Sequence, residues 1–158
     1  MERCVNDMKI VENRIELLDD FIRLNEAWIS AYFEIEETDR KLAANPARIL
    51  EDGGFVFSLV SGSQVLGVCA LFNNGNKIFE LARMAVSFEH QGKGYGNRLI
   101  EACLAKLKKL GAQKVWLASN DNLKPALALY KKHGFEVISK GRIPNYSRAN
   151  IVMERIVG

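Results

Sequence analysis

In the stretch HQGKGYGNRL, His90 to Leu99, glycine stands at positions 92, 94 and 96, with Lys93 among them and an apolar helical pattern directly after. A loop running from a strand end into a helix start presents free backbone N–H groups beside the positive end of the helix dipole, and glycine lets a bulky anion approach that backbone closely. Gly92, Gly94 and Gly96 therefore suit a phosphate or diphosphate. The plain alternative is a turn that only needs positive φ. A second feature is Glu80, the one carboxylate in the apolar run Lys77 to Val86. A charge inside such a run needs a reason, and pairing with Arg83 or a cation of another strand is one.

Three phosphate binders fail on sequence. The dinucleotide fingerprint needs glycine at position 97 after Gly92 and Gly94, but Asn97 stands there. The triphosphate-binding loop needs Lys and then Ser or Thr directly after its last glycine, and GYGNR has neither. A kinase-type glycine loop brings a catalytic apparatus too large for 158 residues.

The loop must be held by the elements around it. MKIVENRI (Met8 to Ile15) reads as a strand, and from Asp19 the apolar spacing of Phe21, Leu24, Trp28, Ile29 and Tyr32 is helical. A second helical region runs from Glu36 to Leu50, broken near Pro46. Phe55 to Val60 and Val65 to Phe72 form an antiparallel hairpin, and Lys77 to Val86 is a third strand. After the glycines, Leu99, Ile100, Cys103, Leu104, Leu107 and Leu110 share one helix face, stopped by Gly111. Strand KVWLAS, helix NLKPALALYKKHG and strands FEVISK and RANIVMERI close the chain. Antiparallel strands followed by strand, helix, strand, helix, strand make an α/β fold with a mixed sheet.

Composition sets the outer limits. With 48% hydrophobic and 26% charged residues the chain is ordinary globular protein, long enough for one self-sufficient core, and no apolar run could span a bilayer. The segment MERCVNDMKIVENR has no apolar core of signal-peptide length, so a cytoplasmic location is expected. Cys4, Cys69 and Cys103 are odd in number and far apart, without metal-ligand spacing, so neither a disulfide frame nor a metal site is expected; Cys69 and Cys103 read as core. A net charge of +3 does not by itself call for nucleic acid, and Lys106, Lys108, Lys109 and Lys114 read as a solvated helix face.

Gln91, Gly94 and Gly96 match in full the diphosphate-binding signature of the GNAT superfamily of acetyl-CoA-dependent N-acetyltransferases: Gln or Arg, two residues, Gly, one residue, Gly or Ala. The strand ELARMAV upstream and ASNDNLKPALALYKKHGF downstream also resemble that family, with matching element order from about Gly54 to Val137. The resemblance implies one domain over 1–158, with residues 54–137 binding acetyl-CoA and 1–50 on the acceptor side. It implies a mixed, mostly antiparallel sheet of six or seven strands, splayed at its centre and flanked by about four helices. It further implies that the N–H groups of Gln91, Gly92, Lys93, Gly94, Tyr95, Gly96 and Asn97 hold the diphosphate, with the Lys93 and Arg98 side chains adding charge at the rim, that the backbone of Met84, Ala85 and Val86 bonds the pantetheine arm, that Asn120 contacts a pantetheine amide, and that Tyr130 protonates the departing thiolate. Glu80 fits the position some members use for a base, directly or through water, and Asn120 to Asn122 are equally ordinary helix caps.

The expected reaction is direct acetyl transfer from acetyl-CoA, as co-substrate and without a metal, to a primary amine on a small molecule or peptide. Trp28, Tyr32, Phe33, Glu37 and Tyr146 fall where such enzymes bind acceptors, and the acidic run FEIEETD either attracts a cationic amine or simply begins a helix. His90 reads as a solvated turn residue and His133 as a helix cap. Two rivals stand beside this reading: an acyl-CoA-binding sensor without turnover, and a nucleic-acid module using the lysine patch. The sequence does not give the oligomeric state, although dimers are common among similar proteins, so a homodimer stays open.

Overall fold

The architecture follows from two apolar faces that one sheet presents to helices on either side. A computed structural model describes residues 8–144 and 146–158; Cys4 and the first residues of the N-terminal segment considered above lie outside them. The chain runs β1 (Met8–Glu12), α1 (Leu18–Tyr32), α2 (Glu37–Ala44), the single turn α3 (Arg48–Glu51), β2 (Phe55–Ser61), β3 (Gln64–Asn73), β4 (Ile78–Val86), α4 (Tyr95–Lys109), β5 (Lys114–Ser119), α5 (Lys124–Lys132), β6 (Glu136–Lys140) and β7 (Ile151–Ile156). The strands form one sheet in the order β1-β2-β3-β4-β5-β7-β6, antiparallel except for β4 with β5.

Alternation sorts the side chains. On one face Leu71, Leu81, Val115 and Met153 pack with Leu99, Ile100, Cys103 and Leu107 of α4 and Leu127 of α5. On the other, Val56, Val68, Ala70 and Ala85 pack with Leu18, Phe21 and Leu24 of α1. β3 is covered on both sides, which is why Val65 to Leu71 is a continuous apolar run. Both Cys69 and Cys103 are fully buried core thiols.

Two element ends differ from the sequence expectation by three residues, each for a local reason. β1 stops at Glu12 rather than Ile15 because Asn13 takes a left-handed conformation, φ 57°, and caps Val56: its side-chain oxygen accepts the Val56 N–H at 2.9 Å and its own N–H donates to the Val56 carbonyl at 2.8 Å. β7 begins at Ile151 rather than Arg148 because the residues before it are drawn into side-chain contacts with α2 and the β5–α5 loop, described below.

The feature that makes a site is where pairing stops. β4 and β5 are in register only at Ile78–Lys114, Phe79–Val115 and Glu80–Trp116. Beyond Glu80, β4 continues to Val86 with only β3 beside it, and the sheet is splayed between β4 and β5. In the same stretch β4 bulges against β3: Arg83 and Met84 together oppose Cys69, and Arg83 sits at φ 60°, a left-handed conformation that costs a non-glycine residue about 1 kcal/mol or more.

Candidate active site

A cleft of about 810 Å³ opens at the splay, lined by Leu81 to Val86 of β4, Leu117 to Ser119 of β5, the loop before α4, and parts of α1, α5 and the chain before β7. Its lower end is the glycine loop. Gly94 is the N-cap of α4 at φ 81°, and Gly92 has φ 79°, conformations L side chains rarely adopt. Gly96 answers a different need: a Cβ there would stand 3.1 Å from Leu129 Cδ2, so its absence lets α4 and α5 close together.

Among the described residues, none of the backbone N–H groups from Gln91 to Asn97 donates a hydrogen bond; the first that does is Arg98, to the Gly94 carbonyl at 3.3 Å. A row of unbonded amides at the start of a fifteen-residue helix is an electropositive cradle. Gln91 anchors its strand side, its amide donating to the Val86 carbonyl at 3.3 Å. At the far side the Asn97 side chain meets His133 Nε2 at 2.8 Å, so His133 braces the first turn of α4 as well as ending α5. Lys93 is exposed on the loop and, like Arg98, does not line the cleft. His90 lines the cleft with a buried Nδ1 that has no partner among the described residues, unlike the solvated turn residue expected.

At the other end stands Glu80, 6% exposed. Burial pushes its carboxyl up to about 7, although the Tyr146 hydroxyl and the charge of Arg83 both favour the ionised form. The Tyr146 hydroxyl donates to Glu80 Oε1 and Oε2 at 3.2 and 3.3 Å, and the Tyr146 ring stands edge-on to Trp116, centroids 6.1 Å apart. Trp116 is held in turn by its Nε1–H, which donates to Asn74 Oδ1 at 2.7 Å.

Arg83 does not bond Glu80. Its Nη1 donates to Asp39 Oδ1 at 2.7 Å, and Arg148 forks onto the same carboxylate at 2.6 and 2.8 Å. Asp39 also accepts the Glu36 N–H at 2.8 Å, closing the first turn of α2. Burial alone would raise the Asp39 carboxyl, but hydrogen bonds from Arg148, the Glu36 backbone and Arg83 outweigh it and hold it well below the usual carboxylate range. Ser147 adds a bond to Glu36 at 2.7 Å. The β4 bulge, α2 and the chain before β7 are thus tied at one buried carboxylate, a link no local sequence pattern announces.

Tyr130 lines the cleft from α5, its ring edge-on to Phe135 at 6.0 Å, and its hydroxyl has no hydrogen-bond partner among the described residues. Burial, and secondarily Cys69, raises its phenol above the usual range, so it holds its proton at neutral pH. Asn120 also lines the cleft, with its amide engaged: Nδ2 donates to the Arg148 carbonyl at 3.2 Å and Oδ1 accepts the Asn122 N–H at 2.9 Å. Trp28 and Phe33 line the cleft, whereas Tyr32 is 53% exposed and, like Glu37, which lies by Arg40 at 3.6 Å, is not part of its lining.

The model of the acetyltransferase (GNAT) family matches residues 19–135, spanning α1, the splayed strands, the glycine loop and α5. The chain belongs to this family. Over 103 residues it is 29% identical to an uncharacterised N-acetyltransferase, YvbK, of Bacillus subtilis (strain 168), a match spanning 63% of this chain and 66% of that relative. Its fold is similar to that of a GNAT-family acetyltransferase from Staphylococcus aureus Mu50, with TM-score 0.85 at 18% identity over 96% of this chain and 99% of the other. It is likewise similar to the PaiA N-acetyltransferase of Thermoplasma acidophilum, a structure in complex with coenzyme A, with TM-score 0.73 at 20% identity over 94% and 98%. The splayed sheet and the glycine loop that the resemblance implies are both present, with the β4 bulge beside them. Among the described residues there is no cluster of three or more metal-ligating side chains and no helix long and apolar enough to cross a membrane. Of the lysine patch, Lys106 pairs with Glu12 at 2.9 Å and Lys114 with Glu154 at 3.3 Å.

Proposed function

We propose that the protein transfers the acetyl group of acetyl-CoA directly to a primary amine. The observation that carries this reading is the row of seven unbonded amides, Gln91 to Asn97, at the mouth of a cleft between parted strands. That row fits a diphosphate: Cβ atoms built at Gly92 and Gly94 would meet nothing within 4 Å, so the ground above the amides is open. The unpaired edge of β4, at Met84, Ala85 and Val86, fits the extended pantetheine arm, which can add to it as a strand does.

Acetyl-CoA supplies an acetyl group activated as a thioester. Glu80, ionised above about pH 7 and aimed by Tyr146, takes the proton that the attacking nitrogen must lose, directly or through water. Tyr130 keeps its own proton at neutral pH and gives it to the sulfur as nitrogen replaces sulfur at the acetyl carbon. Asn120, with its amide engaged, shapes the wall by fixing the 120–122 turn against the 148 carbonyl. Cys103 is too deeply buried to form an acyl-enzyme: its thiol is pushed far up by burial and stays protonated.

Incubating the purified protein with acetyl-CoA and a panel of amines, while following free thiol and identifying the acetylated product, tests the proposal. Amine-dependent thiol release is expected. Tight binding of acetyl-CoA with no release for any amine would favour a sensor.

A further inference from the structure

The acceptor end of the cleft carries charges of both signs, and their pairing is uneven. The acidic run that reads in sequence as an attraction for cations is partly committed elsewhere. Asp39 is buried against two guanidiniums, Glu36 accepts Ser147 through both oxygens, and Glu37 lies by Arg40 outside the cleft. Arg148 commits both of its terminal nitrogens, Nη1 and Nη2 to Asp39 and Nη1 also to the Glu34 carbonyl at 3.2 Å, leaving its Nε–H without a partner among the described residues. Arg83 has more to spare: of its three nitrogens only Nη1 has a partner among the described residues, so Nε and Nη2 are both uncommitted, while the side chain lines the cleft at 18% exposure. One buried carboxylate thus serves two guanidiniums, both of which line the cleft with Glu80, and Arg83 is the one whose Nη2 is wholly uncommitted. That guanidinium is also presented from the strained backbone of the bulge, at φ 60°.

A guanidinium with free N–H groups in a partly buried cleft selects for a planar anion. An ammonium at Glu80 and an anion at Arg83 are then met by one molecule if the two charges lie a few bonds apart. A diamine would instead bring its second ammonium toward Arg83, and a peptide N-terminus would bring a neutral amide. Trp28, Phe33 and Phe72 wall the same end and offer contact to an apolar side chain.

Resting on the acetyl-transfer reading, we infer that the acceptor is a free amino acid with an apolar side chain, and that Arg83 is the residue that reads its carboxylate. The reaction consumes the amino group and leaves an N-acetyl amino acid, so the step that supplies the acceptor must deliver a free α-amine and an unblocked carboxylate.

The test compares phenylalanine, phenylalaninamide and 1,4-diaminobutane as acceptors, with thiol release followed at saturating acetyl-CoA and the amine pKa difference controlled by comparing rates at equal free-amine concentration. A charge-assisted pair at Arg83 gives phenylalanine a kcat/KM about tenfold or more above its amide, expressed mainly in KM. In Arg83→Gln that ratio falls toward one. Because Arg83 also holds Asp39 and its loss can disturb the fold, the wild-type ratio alone decides the matter. Equal rates with the amide, or faster turnover of the diamine, overturn the inference and leave acetyl transfer standing. No thiol release with any of the three, while another amine of the wider panel does release thiol, overturns the inference alone; no release with any amine of the panel, despite binding of acetyl-CoA, overturns both.

Discussion

The phenol of Tyr146 and the carboxylate of Glu80 are 3.2 Å apart across 66 residues of chain, and no other described side chain donates a hydrogen bond to Glu80. The strand register makes the pair: Glu80 opposes Trp116, whose ring braces Tyr146. A carboxylate so enclosed is poised near neutrality, where a base takes and releases a proton readily.

From this pair comes a pH profile. Wild-type kcat/KM should rise through about pH 7 as Glu80 ionises. Glu80→Gln should lower turnover by about 10²- to 10⁴-fold and remove that limb. The stability sign is opposite. A carboxyl raised on folding contributes stability that is present at low pH and lost as pH climbs through its folded value. Glu80→Gln should therefore match wild type near pH 4 and exceed it by on the order of 2 kcal/mol at pH 8, read from urea midpoints.

Tyr146→Phe separates aim from enclosure. The hydroxyl favours the ionised form of Glu80, so removing it should move the rate limb to higher pH. An unmoved limb in a folded variant would show that Tyr146 does not tune the base.

Tyr130→Phe should cut kcat by roughly 10²-fold or more while leaving the dissociation constant for CoA unchanged, since the hydroxyl bonds nothing in the fold. Rapid-mixing rates paired with calorimetric titration distinguish this from a packing defect, which would move both.

Asp39→Asn strips the shared anion from Arg83 and Arg148. Breaking a buried pair costs about 3–5 kcal/mol, and partial solvent access of the two guanidiniums reduces this to roughly 2–4 kcal/mol. Asp39 is a lowered carboxyl, so its contribution is present at neutral pH and lost as pH falls below about 4. The difference in urea midpoint between wild type and variant should shrink accordingly in acid.

Much of this was legible from local pattern, because local pattern is what periodicity and turn chemistry record. The α4 face, the hairpin turned by Gly62 and Ser63, and the loop from Gln91 to Asn97 are each set by neighbours in sequence. Glu80 stood out because a carboxylate in an apolar strand is costly. The roles of Asp39, Arg83 and Arg148 were not legible. Their contacts span 44 and 109 residues and depend on a bulge that re-aims Arg83, which an even alternation over ELARMAV does not reveal. His90 was misread for the same reason, its buried Nδ1 being a tertiary fact, whereas His133 ends α5 as its position suggests and only its bond to Asn97 was beyond the sequence.

The claim on which the rest depends is that the amides of Gln91 to Asn97 hold a diphosphate, and calorimetric titration of the folded protein with CoA and with pantetheine, which lacks that group, tests it most directly. The expected result is a Kd for CoA about 100-fold or more below that for pantetheine, the worth of two or more charge-assisted hydrogen bonds. Equal affinities, or no heat with either at millimolar concentration, would contradict it.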